Sequence, residues 1–313
     1  MSKLKALLLT EGLHGMISQA EGLAKALDSD YIHEKIELNN FWKLIPPALT
    51  PVKSFVFKNN IDRDFDIIIS CGRKSIIPSI FLKKKSRKKT INIHIQNPKI
   101  SLKNFDFAII PDHDGISGAN VLNTKGAIHY LTNKEIDDSR DYLLNKLEKN
   151  KDVATLVLGG PTKNYNYSND NILNIFSKIN KRLKEYNLQL IIIPSNRTPK
   201  RTIQLAKEYF AESCIVIDEV DKFAYLSSLA LAKYIIVTCD STSMISEAAL
   251  TGKPIYVAMI PPLRNDKRFE KFRNLFEKLN IIKKLENKLE TWNYEKLNEA
   301  DRIASIIKQE IKK

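Results

Sequence analysis

The hydrophobic positions of this chain fall into short apolar runs separated by longer segments with helical periodicity. Such alternation predicts a parallel β-sheet covered by helices, because strands that are buried on both faces are apolar throughout. The runs predicted as strands in the first half are residues 6–9, 65–69, 90–95 and 107–110. Those in the second half are residues 154–158, 189–193, 214–217, 234–237 and 254–257. After residue 262 the pattern predicts helices and no further strand.

The strand pattern starts afresh after residues 133–151, a charged stretch with little apolar periodicity. We therefore predict an α/β fold with two Rossmann-like domains facing a cleft. The expected boundaries are an N-terminal domain over residues 1–132, a helical connector over 133–152, and a C-terminal domain with the final helices over 153–313. A chain of 313 residues, 43% of them hydrophobic, is long enough to bury two cores.

The composition indicates a globular protein of a reducing compartment. Cys71, Cys214 and Cys239 are far apart and lack the spacing of a disulfide framework or a zinc site, which favours the cytoplasm. No apolar run approaches the ~20 residues that span a bilayer. The net charge of +14 favours anionic partners. The chain is also rich in Lys, Ile and Asn, and the alternative is a solvated lysine surface with no partner.

One region combines aromatic, apolar and basic side chains. Residues 41–47 and 53–58 interleave them, and residues 83–89 form a dense basic cluster at the predicted end of a helix that begins at Ser75. This combination is typical of contact with an anionic membrane surface, and an ordinary packed domain face is the alternative. The expected location is the cytoplasm, with peripheral contact to the inner face of the membrane if the first interpretation holds.

Residues 237–248 are the most distinctive stretch, because a buried strand ends there in small hydroxyl residues and a helix begins. Free amide N–H groups, the positive end of a helix and several hydroxyls at one point suit a phosphate or diphosphate. The candidate diphosphate contacts are Ser241, Thr242, Ser243 and Met244. Glu247 is a candidate acceptor for a ribose hydroxyl. The alternative is local, in which Asp240 or Ser241 caps the helix and Glu247 completes the cap.

Ligands of open parallel sheets bind beyond the carboxyl ends of the strands, and the other strand ends of the second half are also polar. The candidate ligand contacts there are Gly159, Gly160, Ser195, Arg197 and Thr198. Glycine lets backbone approach a ligand closely, and a guanidinium is a forked, permanently charged donor that matches phosphate. Each feature has a structural alternative, but several such strand ends in one half predict a single nucleotide pocket.

In the first half, a glycine turn follows the first strand, with Gly12, Gly15 and Gln19 as candidate substrate contacts. Glu11 in the same turn is a candidate general base. His113 and Asp114 follow the fourth predicted strand, where an imidazole beside a carboxylate could act as a base. A metal is the weaker option, since three ligands within three residues cannot all reach one ion, and we predict none. The alternative is an acidic turn that caps local backbone.

The same residues carry a family resemblance. Segments 10–12, 19–24, 111–114, 120–122, 159–161, 195–199 and 240–248 resemble the mitochondrial-fission ELM family. The resemblance covers roughly residues 6–260, and its most specific part is the Asp-Ser-x-Ser-Met-x-Ser-Glu-Ala segment at its end. The chain departs from the family pattern at Asn196, where a second arginine is usual, and at Asp112, where glutamate is usual.

The resemblance implies a fold similar to that of GT-B glycosyltransferases, whose second domain binds a nucleotide-sugar diphosphate near a helix N-terminus. The first domain of those enzymes binds the acceptor. By this resemblance the donor lies near Gly159, Gly160, Arg197, Ser241, Thr242 and Ser243, with its ribose near Glu247.

The leading hypothesis is a metal-independent glycosyltransferase that moves a sugar from a nucleoside-diphosphate sugar to an envelope or lipid-linked acceptor. It needs no cofactor beyond that donor, and Glu11, His113 and Asp114 are its candidate catalytic residues. Two alternatives stay open: a non-catalytic family member that acts through membrane or protein association, and a nucleotide-sugar epimerase. Nucleic acid is not an expected partner, because the basic and aromatic residues form no recognisable RNA- or DNA-binding motif.

Overall fold

The computed structural model describes residues 3–211, 214–286 and 288–312. The strands in these ranges are β1 (Leu4–Thr10), β2 (Ser29–Lys35), β3 (Ile67–Cys71), β4 (Ile91–Ile95), β5 (Phe107–Pro111), β6 (Val121–Thr124), β7 (Asp152–Leu158), β8 (Leu188–Pro194), β9 (Cys214–Val216), β10 (Tyr234–Thr238), β11 (Ile255–Ala258) and β12 (Ile282–Lys284). The α-helices are α1 (His14–Ala26), α2 (Asn40–Leu44), α3 (Ile76–Lys85), α4 (Asn133–Asp138), α5 (Asp141–Leu144), α6 (Asn169–Tyr186), α7 (Lys200–Phe210), α8 (Lys222–Leu231), α9 (Thr242–Ala249), α10 (Lys267–Lys278) and α11 (Glu299–Lys312). None of these helices is both long enough and apolar enough to cross a membrane.

The chain forms two compact units. The first holds the described residues up to Tyr130 together with those from Asn298 onward, and the second is Leu131–Leu297. The first unit is built on a parallel sheet in the order β2-β1-β3-β4-β5-β6. The second is built on a parallel sheet in the order β12-β11-β10-β7-β8-β9. The predicted α/β class with two Rossmann-like halves is confirmed.

Both faces of the first sheet are buried. Successive residues of a strand point to opposite faces, and in β1 Leu8 joins a core with Leu23 of α1 and Ile307 of α11. Its neighbour Leu9 joins a separate core that includes Ile76 of α3. Coverage on both sides explains why these strands are apolar throughout rather than alternating.

In the second sheet, Val153 of β7 and Ile191 of β8 pack with Leu143 of α5 in one core. Because side chains alternate along a strand, the residues before and after Ile191 in β8 point to the opposite face of the sheet. On that face α6 packs against β8 and α7. Phe176 of α6 is fully buried there and meets Phe210 of α7. The second unit therefore repeats the layered arrangement of the first.

The order of the second sheet determines where its loops meet. Strands β10, β7 and β8 are adjacent and parallel, so their carboxyl ends lie side by side at one edge. The loops that leave this edge begin at Cys239, Gly159 and Ser195. Helix α9 starts four residues after β10, which brings its N-terminus to the same edge.

Three observed strands were not predicted from the sequence: β2, β6 and β12. All three lie at an edge of their sheet. An edge strand is paired on one side only and is partly exposed, so its apolar pattern is weak. The expectation of no strand after residue 262 is wrong for this reason, since β12 has one buried residue, Ile282.

Two expected domain boundaries differ from the observed units. Helices α4 and α5, expected to be a connector between domains, pack against α8 within the second unit, where Leu143 is fully buried and its amide donates to Ser227 Oγ at 3.1 Å. Helix α11, expected in the C-terminal domain, belongs to the first unit. Its apolar positions Ile303 and Ile307 are fully buried beside α1.

The packing of α1 predicts a large difference between two glycines of the same helix. A Cβ at Gly22 would overlap with the backbone carbonyl of His129, whereas a Cβ at Gly15 would meet open space. We expect Gly22→Ala to lower the free energy of unfolding by about 2 kcal/mol or more. Gly15→Ala should change it by less than about 1 kcal/mol, in the stabilising direction. Chemical denaturation measures both values, and similar stability of the two variants would contradict the described packing of α1.

Candidate functional site

A buried carboxylate after β10 joins three strand ends of the second sheet. The Asp240 side chain has 0% exposure. Its Oδ2 accepts hydrogen bonds from the amide of Gly160 at 3.0 Å and from Arg197 Nη2 at 2.9 Å. Its Oδ1 accepts one from Tyr167 Oη at 2.6 Å. A buried charge is costly unless it is paired, so these bonds hold the loops after β7, β8 and β10 at fixed distances.

Gly159 and Gly160 allow these loops to approach one another. The amide of Gly159 donates to Thr238 Oγ1 at 2.8 Å, and Arg197 Nη1 donates to the carbonyl of Gly160 at 2.8 Å. A Cβ at Gly159 would overlap with the carboxylate of Asp240, and one at Gly160 would overlap with the backbone of Arg197. The sequence predicted that these glycines let the backbone approach a ligand. In the structure they let it approach the side chain of Asp240 and the backbone of Arg197.

Ser195 and Thr198 brace the loop between β8 and α7. Thr198 Oγ1 accepts from the amide of Ser195 at 2.8 Å and lies 2.6 Å from the carbonyl oxygen of Gly159. Ser195 Oγ lies 3.2 Å from the same hydroxyl. These two side chains therefore fix the loop that carries Arg197.

Arg197 has a structural role that the sequence did not indicate. Two of its guanidinium nitrogens bind Gly160 and Asp240, yet 41% of the side chain stays exposed. The exposed part retains N–H groups, because a guanidinium carries five of them. Arg197 thus neutralises Asp240 and presents its remaining donors at the surface of the same edge. Its contact with a phosphate stays a prediction.

Ser241 caps α9, as the local alternative proposed. Its Oγ accepts from the amide of Met244 at 3.4 Å, and its carbonyl accepts from the amide of Ile245 at 3.3 Å. The amides of Thr242 and Ser243 belong to the first turn, where an α-helix offers no acceptor, and both residues are partly exposed. The start of α9 therefore directs two amides and two hydroxyl side chains beside the Asp240 network.

Glu247 takes no part in that cap. Its Oε2 accepts a hydrogen bond from Tyr225 Oη of α8 at 2.8 Å. Burial raises the pKa of Glu247 to about 7, and the bond from Tyr225 opposes this shift. The carboxyl group is thus poised between its two protonation states near neutral pH.

The candidates of the first unit lie at the carboxyl edge of its sheet. Glu11, just after β1, forms an ion pair with Lys74 Nζ at 3.1 Å and also accepts from the amide of Lys74 at 3.1 Å. Gly12 has a φ of +83°, which a tight turn into α1 requires of it. Gln19 Nε2 donates to the carbonyl of Gly15 at 3.1 Å within α1, so it is bonded to its own helix.

His113 and Asp114 form a short 3-10 turn directly after β5. His113 Nε2 lies 3.8 Å from Asp114 Oδ1, and the two side chains are 8% and 15% exposed. Strands β3 and β4 separate β5 from β1, so the two strand ends are roughly 14 Å apart at ~4.8 Å per strand. Glu11 and the His113–Asp114 pair are therefore alternative candidate bases rather than members of one catalytic pair.

Sequence reasoning missed the partners that hold these residues in place. Tyr167 and Tyr225 each bond a motif residue, but nothing in their own spacing marks them. Asp240 was a candidate only as a helix cap. Its position directly after an apolar strand, on a sheet whose neighbouring strand ends in Gly159-Gly160, is a signal that could have identified it as a buried anchor.

The Asp240 network predicts a strong effect of a nearly isosteric change. Asp240→Asn removes the charge that Arg197 neutralises and places an amide N–H₂ toward existing donors. We expect a loss of about 2–4 kcal/mol in the free energy of unfolding. The matched control is Asp218→Asn, since Asp218 is 61% exposed and its ion pair with Lys207 lies on the surface. The control should change stability by less than about 1 kcal/mol. Equal stability of Asp240→Asn and the control would contradict the described network.

Glu247 predicts a specific pH dependence of stability. Its pKa is about 7 in the folded protein against an ordinary value of 4.5, so the folded state binds more protons between these values. The free energy of unfolding contributed by this group therefore falls as pH rises through that window, with a limiting slope of about 1.4 kcal/mol per pH unit. Glu247→Gln should lack this contribution. Denaturation of both proteins across the window measures it, and parallel stability curves would refute the assignment.

Comparison with solved structures places the fold. UDP-GlcNAc 2-epimerase from Methanocaldococcus jannaschii is 15% identical, with a TM-score of 0.52 over 98% of this chain and 100% of its own. The Neisseria meningitidis enzyme of that name, bound to UDP-GlcNAc, is 12% identical, with a TM-score of 0.55 over 99% and 100%. MurG from Acinetobacter baumannii is 10% identical, with a TM-score of 0.52 over 99% and 90%. At these identities the likeness concerns the fold, which is GT-B-like.

Comparison with sequences identifies the family. An uncharacterized protein from Rickettsia prowazekii is 29% identical over 95% of this chain and 96% of its own length. The mitochondrial fission protein ELM1 of Arabidopsis thaliana is 22% identical over 78% of this chain and 64% of its own length. The family model described as Mitochondrial fission ELM1 matches residues 14–311. Because that match covers nearly the whole sequence, the chain belongs to the mitochondrial fission ELM1 family.

Proposed function

We propose that this protein binds a nucleoside-diphosphate sugar at the carboxyl edge of its second sheet and transfers the sugar to an acceptor hydroxyl. The observation that carries the proposal is the start of α9, whose free amides and hydroxyls lie beside the network of Asp240, Arg197 and Gly160. The GT-B-like fold, shared with enzymes named for nucleotide sugars, supports the same conclusion.

The start of α9 suits a diphosphate. Its first-turn amides and its helix dipole favour negative charge, and the hydroxyls of Thr242 and Ser243 add donors. The nearest fixed negative charge, that of Asp240, is buried and paired with Arg197, so it repels an incoming anion weakly. Donors that are already oriented would stabilise the charge that develops on the departing diphosphate. In other transferases a metal ion provides this stabilisation.

Glu247 is the proposed ribose contact. It lies five residues beyond Thr242 on α9, about 7.5 Å along the helix axis, a length comparable with a diphosphate joined to a ribose. Tyr225 holds the carboxylate from one side and leaves its other lone pairs to accept from sugar hydroxyls. Uridine is the proposed nucleoside, because the Neisseria meningitidis epimerase of the same fold is bound to UDP-GlcNAc.

The acceptor is proposed to meet the first unit, where Glu11 or the His113–Asp114 pair would remove its proton. An envelope or lipid-linked precursor is the proposed acceptor class. A second candidate function is epimerisation of the nucleotide sugar, which the similarity to two UDP-GlcNAc 2-epimerases favours. Incubation with UDP-GlcNAc followed by product analysis separates them: an epimerase forms a second UDP-sugar unaided, whereas a transferase releases UDP only as an acceptor is glycosylated.

Nucleotide binding is the direct test of the proposal. Titration calorimetry of the full chain with UDP, GDP and ADP should show saturable binding, strongest for UDP. At a pH above 7, Glu247→Gln should weaken UDP binding about tenfold, because a neutral amide accepts weaker hydrogen bonds than a carboxylate.

The matched control is Glu208→Gln, since Glu208 is 49% exposed on α7 and its ion pair with Arg201 and its hydrogen bond from Gln204 both lie at the surface. UDP affinity should be unchanged in that variant. Absence of saturable binding for all three nucleotides would overturn the proposal and favour a family member that acts through association instead. An equal loss of affinity in both variants would remove Glu247 from the site.

A further inference from the structure

The first unit exposes a group of large apolar side chains on and beside α2. Phe41 is 65% exposed, Leu44 82%, Leu49 74% and Phe55 57%. Residues 38–58 that carry them are here called the α2 patch. Exposure of this extent in four large apolar side chains within one short segment is unusual for a water-facing surface and marks interaction surfaces.

The α2 patch is continuous and anchored. Phe41 and Leu44 lie three residues apart on α2 and so share a face. The Trp42 ring lies 4.8 Å from that of Phe41 and 5.9 Å from that of Phe55, which joins the two segments of the patch. Asn39 ties their backbones, donating from its amide to Val56 and from Nδ2 to Phe55, at 2.9 and 2.6 Å. The exposed rings therefore project from a fixed surface.

The charge around the patch is positive. Residues 38–61 contain Lys43, Lys53 and Lys58 and no Asp or Glu. Lys43 and Lys53 are exposed, and neither forms an ion pair within residues 3–211, 214–286 and 288–312. Arg73 adds a further cation, because its guanidinium donates to the carbonyl of Lys43 at the end of α2.

The denser basic cluster at residues 83–89 differs in this respect. Lys83 pairs with Asp106 at 2.7 Å, Lys85 with Asp62 at 3.0 Å and Lys88 with Asp66 at 2.7 Å. These carboxylates offset much of its charge. At the α2 patch, by contrast, Lys43 and Lys53 have no such partner among the residues that the structure describes, and they lie in the same short segment as the projecting apolar side chains.

We propose that the α2 patch docks onto an anionic bilayer surface. Lys58 pairs with Glu37 at 4.0 Å, which leaves Lys43 and Lys53 as the lysines of the patch that are unpaired within the described part of the chain. Projecting aromatic and aliphatic side chains beside these two lysines match the two parts of such a surface, since the rings enter the boundary between headgroups and acyl chains while the cations meet lipid phosphates. A protein partner would need a hollow shaped to these projecting side chains, whereas a fluid bilayer adapts to them. The inference does not depend on nucleotide binding.

Vesicle co-sedimentation of the full chain tests the proposal. The protein should bind vesicles of phosphatidylcholine mixed with phosphatidylglycerol, bind phosphatidylcholine alone far more weakly, and lose binding as salt is raised. Phe41→Ser combined with Leu44→Ser should reduce binding to the anionic vesicles at least tenfold. Lys43→Gln combined with Lys53→Gln should reduce it by about twenty-fivefold, on the basis of about fivefold for each cation near the surface.

The matched control combines Phe223→Ser with Leu263→Ser, two side chains of the second unit that are 59% and 63% exposed. This control should bind as the unaltered protein does, and unchanged circular dichroism and melting temperature show that each variant is folded. No binding to anionic vesicles, unaltered binding by the Phe41/Leu44 variant, or equal loss in the control would each overturn the proposal. The proposal would also be overturned if the protein bound no vesicles but formed a dimer as its concentration rose, and if the Phe41/Leu44 variant abolished that dimer. The patch would then bind a second copy of the chain.

Discussion

The carboxylate of Asp240 makes the hydrogen bonds on which the carboxyl edge of the second sheet depends. It is buried, and its partners come from two other loops, with Gly160 and Tyr167 in the loop after β7 and Arg197 in the loop after β8. A single buried charge thus sets the distances among loops that sheet pairing alone would leave free to vary. The arrangement also explains the two glycines, since any side chain at Gly159 would occupy the space of this carboxylate.

This use of Asp240 changes what the neighbouring groups can do. A free arginine would close on an incoming phosphate and lose side-chain entropy in doing so. Arg197 is already held by Asp240 and Gly160, so any phosphate would meet donors in fixed positions. Fixed donors stabilise developing charge with little reorganisation, which is the property that a transfer reaction needs of its leaving-group site. Under the proposed function, stability and phosphate binding would share the same side chains, and a variant of Arg197 would alter both.

The sequence predicted the central strands because burial on both faces leaves a continuous apolar run, as in β8. The edge strands β2, β6 and β12 lack that signal. The helix α11 was placed in the wrong unit for a related reason: an apolar stripe such as that of Ile303 and Ile307 shows that a helix packs, but not on which core.

For the candidate site, the sequence predicted which residues meet but not which hydrogen bonds they form. Parallel strands bring their carboxyl ends to one edge, so the motif residues after β7, β8 and β10 were expected to meet, and they do. Which side chain bonds which was not predictable, because spacing locates the end of a strand but not the rotamer that follows it. The bond of Tyr225 to Glu247 is such a case, since α8 and α9 are brought together only by the folded sheet.

The net charge of +14 likewise shows how little composition alone predicts about function. Composition favours an anionic partner but does not tell where the partner binds, and in the densest basic run, residues 83–89, three of the six cations are already paired with Asp62, Asp66 and Asp106. A charge attracts a partner only where it is not already neutralised. In the first unit that condition holds at Lys43 and Lys53, beside exposed aromatic rings. At the second sheet it holds at the start of α9, where the positive groups are amides, which no count of lysines and arginines includes.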